Sequence, residues 1–116
     1  MSETPKLSVS TEHNDPAVIM CPAGRIDGNT VSILEGALQE QYDAGNNILV
    51  FDFEELNYIS SAGLRVLLLT ARRSQQSGGK VIFCGLAENI SQIFQISGFN
   101  DILNVKSSRA EALADL

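Results

Sequence analysis

Histidine and cysteine are scarce in this 116-residue sequence, which has one histidine and two cysteines. Cys21 and Cys84 lie far apart, and with a single histidine they cannot form a zinc site of the common kinds. Both are flanked by apolar residues typical of strands, so we expect buried free thiols, as in a reducing compartment. His13 lies in the polar segment 12–16, which predicts a solvent-exposed turn without a catalytic partner. We therefore expect neither a metal nor a cofactor.

Basic residues and long apolar runs are also few. Eight Lys and Arg against fourteen Asp and Glu give a formal net charge of −6. Surfaces that bind nucleic acids or anionic membranes use Lys and Arg to neutralise phosphates, so we expect neither partner. The longest purely apolar run is residues 17–21, whereas a membrane-spanning helix needs roughly 20 residues. No signal-peptide pattern begins the sequence, and we expect a cytoplasmic protein without membrane insertion.

The motifs of common enzymes are missing. There is no G-x-G-x-x-G, and around Gly79-Lys80 the other positions of a phosphate-binding P-loop are occupied by Ser74 and Val81. Residues 59–63 lack the first glycine of the nucleophile elbow G-x-S-x-G, and the only histidine is distant in the chain. We therefore expect no catalytic residues and a protein that is not an enzyme.

Chain length and hydrophobic content predict one globular domain. With 116 residues, 44% of them apolar, the chain can bury a core without disulfides. We expect a single domain over residues 1–116, ordered over about 5–112, with the polar residues 1–6 frayed.

Hydrophobic periodicity predicts alternating strands and helices. Strands are expected at 7–11, 17–23, 48–53, 80–84 and 102–105, and helices between Asn29 and Ala44, from Ser60 or Ser61 to about Gln76, at 89–96 and at 110–116. The first strand should pair antiparallel with the second and lie at an edge, and the later, continuously apolar strands should be parallel. With 54–59 as a loop, the order β-β-α-β-α-β-α-β-α predicts an α/β fold with a small, mixed and mostly parallel sheet.

Two polar segments are expected at the carboxyl ends of strands, where function collects in open α/β sheets. The first, 24–29, contains Asp27 and Asn29, either of which can cap the first helix. The second begins a helix with Ser60 and Ser61, either of which can be an N-cap. Gly63 is not explained by capping, because glycine costs up to about 1 kcal/mol relative to alanine within a helix. Its bare backbone would let another molecule approach closely.

The helix that begins at Ser61 has two predicted faces. Leu64, Leu67, Leu68 and Ala71 form an apolar stripe, and Ser61, Arg65, Arg72 and Gln76 share a separate face. We expect the hydroxyl of Ser61 to be exposed at the positive end of the helix, one turn from Arg65, where a phosphoryl group is favoured. If Ser61 is only a helix cap, Arg65, Arg72 and Arg73 are expected to form an ordinary solvent-exposed face of the helix.

The strand–turn–helix sequence ILVFDF followed by YISSAGLRVLL resembles the STAS domain, specifically that of bacterial anti-sigma-factor antagonists. The resemblance covers roughly residues 5–112 and includes Gly24-Arg25-Ile26-Asp27 and Gly79-Lys80-Val81. It implies a small mixed sheet with helices, in agreement with the predicted order.

The resemblance also implies a phosphorylation switch in signal transduction and transcription regulation. An anti-sigma factor that is also a Ser kinase would phosphorylate Ser61. The unmodified protein would bind that factor and free the sigma factor, and a PP2C-type serine phosphatase would reset the phosphoprotein. The implied contacts of this partner switching are Asp27, Ser60, Ala62, Gly63 and Arg65. Many family members have Asp where this chain has Ser60. The chain therefore has two adjacent hydroxyls, and Ser60 is the second candidate for the phosphorylated residue.

Two other functions stay open. The chain can be a non-switching STAS subunit of a signalling scaffold or of a lipid-transporter complex, because the same fold and signature serve there. It can also bind or hydrolyse nucleotides, although the missing phosphate loop weighs against this.

Overall fold

The computed structural model describes residues 6–116, so the expectation for residues 1–5 lies outside the described residues. Within this range there are six strands, four α-helices and one 3-10 turn. The strands are β1 (Leu7–Asn14), β2 (Ala17–Ile26), β3 (Ile48–Asp52), β4 (Leu56–Ile59), β5 (Lys80–Cys84) and β6 (Asn104–Lys106). The helices are α1 (Val31–Asp43), α2 (Ser61–Gln76), α3 (Glu88–Ile96) and α4 (Arg109–Ala114), and the 3-10 turn is Phe99–Asp101.

The sheet is mixed and mostly parallel, which confirms the predicted fold class. Its strand order is β1-β2-β3-β5-β6, and β4 pairs with the far end of β2. β1 is antiparallel to β2 at the sheet edge, as expected, and the other pairs are parallel. The connections between parallel strands pass through helices, which places the carboxyl ends of these strands along one edge of the sheet.

Two segments expected to be loops are strands. Residues 24–26 extend β2, and Leu56–Ile59 forms β4 instead of the end of a loop. β2 pairs with β3 over Val18–Met20 and with β4 from Gly24 onward, and the register of the β2–β4 pair shifts between Gly24 and Arg25. β4 has only four residues and gains its hydrogen bonds from β2, so no local periodicity indicates it. The last strand also lies later than expected, at Asn104–Lys106 instead of 102–105.

The hydrophobic core lies on both faces of the sheet. On the larger side, α1, α2 and α3 cover a cluster that includes Phe51 and Phe83, whose ring centroids are 5.2 Å apart. On the other side α4 covers a smaller cluster, to which Val50 and Ile82 contribute. Consecutive residues of β3 and β5 therefore point to opposite faces, and both faces are covered, which explains their continuous apolar sequences.

The cysteines and the histidine differ partly from expectation. Cys84 is buried, as predicted, and burial raises the pKa of its thiol to about 11. Cys21, in β2, is only half-buried, because α4 packs mainly against β3, β5 and β6. Its Sγ lies 3.4 Å from a guanidinium nitrogen of Arg109. His13 is exposed, but it lies in β1, because the turn is confined to Asp15 and Pro16.

The helices are short. The longest helix among residues 6–116 is α2, with 16 residues. No helix in this part of the chain is long and apolar enough to cross a membrane.

Candidate partner-binding site

The start of α2 is positioned by the parallel pairing of β2 with β4. Ile26 and Ile59 are register partners at the ends of these strands, and the backbone N–H of Ser60 donates to the Ile26 carbonyl at 2.8 Å. Parallel strands end at the same edge of a sheet, so Asp27 and Ser60 emerge next to each other. The structure therefore joins the two polar segments that the sequence predicts separately.

The two adjacent serines are in different environments. Ser60 is the N-cap of α2: its backbone is extended (φ −89°, ψ 173°), and its Oγ accepts a long hydrogen bond from the Gly63 N–H at 3.4 Å. Ser61 is the first residue of the helix and is exposed, and within residues 6–116 its hydroxyl has no hydrogen-bond partner. The hydroxyl of Ser61 is therefore open to a reacting molecule, whereas that of Ser60 satisfies a helix donor.

The two predicted faces of α2 lie as the periodicity indicates. Leu67 is buried, and the rest of the apolar stripe packs against the core cluster. Ser61, Ala62 and Arg65 are exposed and border a shallow surface groove, with Glu35 of α1 on its other side. The predicted phosphorylation site and two of the predicted contact residues, Ala62 and Arg65, thus lie at one surface.

The first turn of α2 is electrically positive. It contains no acidic residue, and its backbone N–H groups carry the positive end of the helix dipole. Arg65 follows Ser61 by four residues, which places its side chain one turn further along the same face. An anion attached to the Ser61 hydroxyl would be stabilised there by about 0.3–1 kcal/mol.

Asp27 is held as a carboxylate at the start of α1. Its Oδ1 accepts from the backbone N–H groups of Asn29 at 2.9 Å and Thr30 at 3.1 Å. The Asn29 hydrogen bond is the largest cause that lowers the pKa of Asp27 below its ordinary value. The residue at the cap position of α1 is Thr30, whose side chain makes no capping bond, so Asp27 supplies the acceptors before the helix begins.

Arg25 and Tyr58 are neighbours of the site that the sequence did not indicate. They are register partners on β2 and β4, and the Arg25 guanidinium carbon lies 4.3 Å from the centroid of the Tyr58 ring. The same guanidinium also lies 3.6 Å from Asp27 Oδ2. Only a prediction of β4 could have found this pair, because the two residues are distant in the chain.

Gly63 corrects the expectation of an exposed backbone. It is buried, and a Cβ at this position would lie 2.6 Å from Ile26 Cγ2 and 2.7 Å from Ile59 Cγ1. What approaches Gly63 closely is therefore the pair of strand ends beneath α2. Gly63 is not a surface contact for a partner, and its small size lets the first turn of α2 sit directly on β2 and β4.

The chain is similar to known proteins over nearly its whole length. The STAS domain model matches residues 8–112. BtrV of Bordetella bronchiseptica, named as an anti-sigma factor antagonist, is 37% identical over 108 residues, 93% of each protein. An anti-sigma factor antagonist structure from Mycobacterium paratuberculosis has a TM-score of 0.80 at 22% identity, covering 98% of this chain and 97% of that one. The Bacillus cell fate determinant SpoIIAA, in its phosphorylated form, has a TM-score of 0.71 at 19% identity, covering 93% and 98%.

The matched segment contains the whole site. Residues 8–112 include Asp27, both serines and Gly63, together with the ends of β2 and β4 that position them. The structural likenesses show a shared fold, and the family rests on the domain match and on the identity to BtrV. The chain belongs to the STAS domain family, among the anti-sigma factor antagonists.

Proposed function

We propose that this protein is a cytoplasmic binding module that sequesters an anti-sigma factor with Ser-kinase activity and releases it when phosphorylated on Ser61. A PP2C-type serine phosphatase returns the protein to its binding form. The observation that carries the proposal is the exposed hydroxyl of Ser61 at the N-terminus of α2, beside a Ser60 hydroxyl that is used as a cap. The name of BtrV and the phosphorylated SpoIIAA structure support it.

The position of Ser61 decides how phosphorylation acts. A phosphoserine adds nearly two negative charges, and at a helix N-terminus these favour the helix. Phosphorylation therefore leaves the fold intact and changes the surface that a partner meets. Ala62 and Arg65 lie on that surface, and Asp27 lies at the same sheet edge, where its carboxylate orients the kinase or the hydroxyl.

Mass mapping of the modified residue tests the assignment. The protein is incubated with ATP and each anti-sigma factor of the source organism that has a Ser-kinase domain. We expect one phosphate on Ser61, its loss in Ser61→Ala, and its retention in the matched variant Ser60→Ala. Phosphate on Ser60, or none with any kinase, would contradict the proposal.

Binding measurements test the switch itself. We expect Ser61→Ala to bind the anti-sigma factor as the unmodified protein does, and Ser61→Asp to bind weakly, since it places a negative charge on the contact surface. Both variants should stay folded, because the Ser61 side chain is exposed and its hydroxyl makes no hydrogen bond within residues 6–116. Equal affinity of the two variants would instead favour a non-switching STAS subunit.

A further inference from the structure

The exposed side of α2 has a charge opposite to that of the protein. The helix carries Arg65, Arg72 and Arg73 and no acidic residue, in a chain whose net charge is −6. The adjacent helix α1 carries three acidic residues and no basic one. The surface of α2 is therefore a positive stripe on an acidic protein.

Two of the arginines line up with Ser61. Ser61, Arg65, Leu69, Arg72 and Gln76 are all exposed and occupy neighbouring positions along one side of α2, which we call the basic face. The rise of about 1.5 Å per residue separates Ser61 from Arg72 by about 16 Å along the helix axis. That length fits within a protein interface of standard size, roughly 800 Å² per partner.

The charges on this face are not neutralised within the molecule. Among residues 6–116, neither Arg65 nor Arg72 takes part in an ion pair. Arg73 differs, because its guanidinium carbon lies 3.8 Å from the centroid of the Tyr42 ring. Leu69 lies between the two arginines with 51% of its surface exposed. Leu69 also lines the surface grooves between α1 and α2, so it offers an apolar contact beside the two arginines, as the core of an interface requires.

We propose that the basic face is the docking surface for an acidic region of the anti-sigma factor. Leu69, at the centre of the face, inserts into an apolar depression on that factor. This rests on the proposed function and specifies its contact surface. An acidic partner is repelled by most of this protein and attracted by α2, so the charges also set its orientation. Phosphorylation of Ser61 adds nearly two negative charges at one end of the face and offsets Arg65, which lies one turn away. The switch then acts through charge as well as through shape.

The matched pair Arg72→Ala and Arg73→Ala tests the docking surface. Each variant removes one positive charge from successive residues of the same helix, so the long-range field of the protein changes equally. We expect Arg72→Ala to weaken binding of the unphosphorylated protein by roughly tenfold, and Arg73→Ala by less than about twofold. The affinity of the wild type should fall as salt is added, and less steeply for Arg72→Ala.

Leu69→Ala gives an independent measurement. We expect it to weaken binding by roughly tenfold without changing the salt dependence, because it removes apolar contact and no charge. Thermal unfolding of Arg72→Ala should match that of the wild type, since its side chain is exposed, and Leu69→Ala, which loses a half-exposed side chain, should still be folded at the temperature of the binding measurement.

The outcomes separate this surface from the switch. Weak binding by Ser61→Asp together with wild-type binding by Arg72→Ala and Leu69→Ala would overturn the docking surface and leave the phosphorylation switch standing. An equal loss in Arg72→Ala and Arg73→Ala would show diffuse attraction in place of docking and would also overturn it. Failure of the wild type to bind any anti-sigma factor would overturn both proposals.

Discussion

α1 and α2 lie side by side over the same face of the sheet, and each contains a glycine. A Cβ at Gly36 in α1 would have no atom within 4 Å, whereas a Cβ at Gly63 in α2 would lie within 3 Å of two isoleucine side chains. The first turn of α2 is therefore seated directly on the strand ends. The helix that bears the candidate phosphorylation site is thus held by close contact at its glycine, whereas Gly36 lies at an open position of α1.

Alanine at the two glycines should have opposite effects on stability. Gly63→Ala should lower the free energy of unfolding by about 1–3 kcal/mol, because branched isoleucine side chains must move. Gly36→Ala should raise it by about 0.5–1 kcal/mol, since alanine is the better helix former and the site is open. Urea denaturation of both variants measures these free energies. An unchanged free energy of unfolding in Gly63→Ala would show that the strand ends leave room for a Cβ.

Alanine substitutions at Ser60 and Ser61 should distinguish the roles of their two hydroxyls at the start of α2. Ser60→Ala should lower the free energy of unfolding by about 1 kcal/mol, because the Gly63 N–H loses its side-chain acceptor. Ser61→Ala should change it by less than about 0.5 kcal/mol, as for an exposed side chain without a partner in residues 6–116. Urea denaturation decides between them; a larger loss in Ser61→Ala would make Ser61 the cap.

The arginines at the other end of α2 test its contact with α1. Arg73→Ala should lower the free energy of unfolding by about 0.5–1 kcal/mol, because its guanidinium no longer covers the Tyr42 ring. Arg72→Ala has no such contact and should leave thermal unfolding unchanged. Equal melting temperatures for the two variants would remove the stabilising role of Arg73.

Acid should affect the start of α1 more than the start of α2. The folded pKa of Asp27 is lowered by backbone hydrogen bonds, so its carboxylate stabilises the fold above its unfolded pKa, near 4. This contribution is lost as the pH falls through the folded pKa. Asp27→Asn keeps an oxygen acceptor and removes the titration, so its stability should fall less steeply below about pH 4. Parallel curves for wild type and variant, from denaturant unfolding across this range, would refute the effect.

Much of α2 could be predicted because its signals are local. The apolar stripe around Leu67, a serine cap at Ser60 or Ser61 and the exposure of Ser61 follow from residues within one or two turns; the structure chooses Ser60 as the cap. The strong strands β3 and β5 are equally local, since their apolar runs need no partner to be recognised. These elements are correct to within one residue.

The contacts around α2 could not be predicted because they join distant parts of the chain. β4 is a strand because the far end of β2, from Gly24 onward, pairs with it, and the same pairing creates the Arg25–Tyr58 contact. Cys21 is another case, since its exposure depends on where α4 stops covering the sheet. None of these positions has a periodicity that reveals it.

By itself the sequence determined the α/β class, the amphipathic helices and a serine at the positive end of one of them, because hydrophobic spacing and helix caps act over a few residues. Only the tertiary structure decided which contacts bring Asp27 to the edge at which Ser60 begins α2, and that Gly63 faces inward. The reason is geometric: parallel pairing of β2 with β4 ends two distant segments at the same edge, and close seating of α2 on them leaves no room for a Cβ.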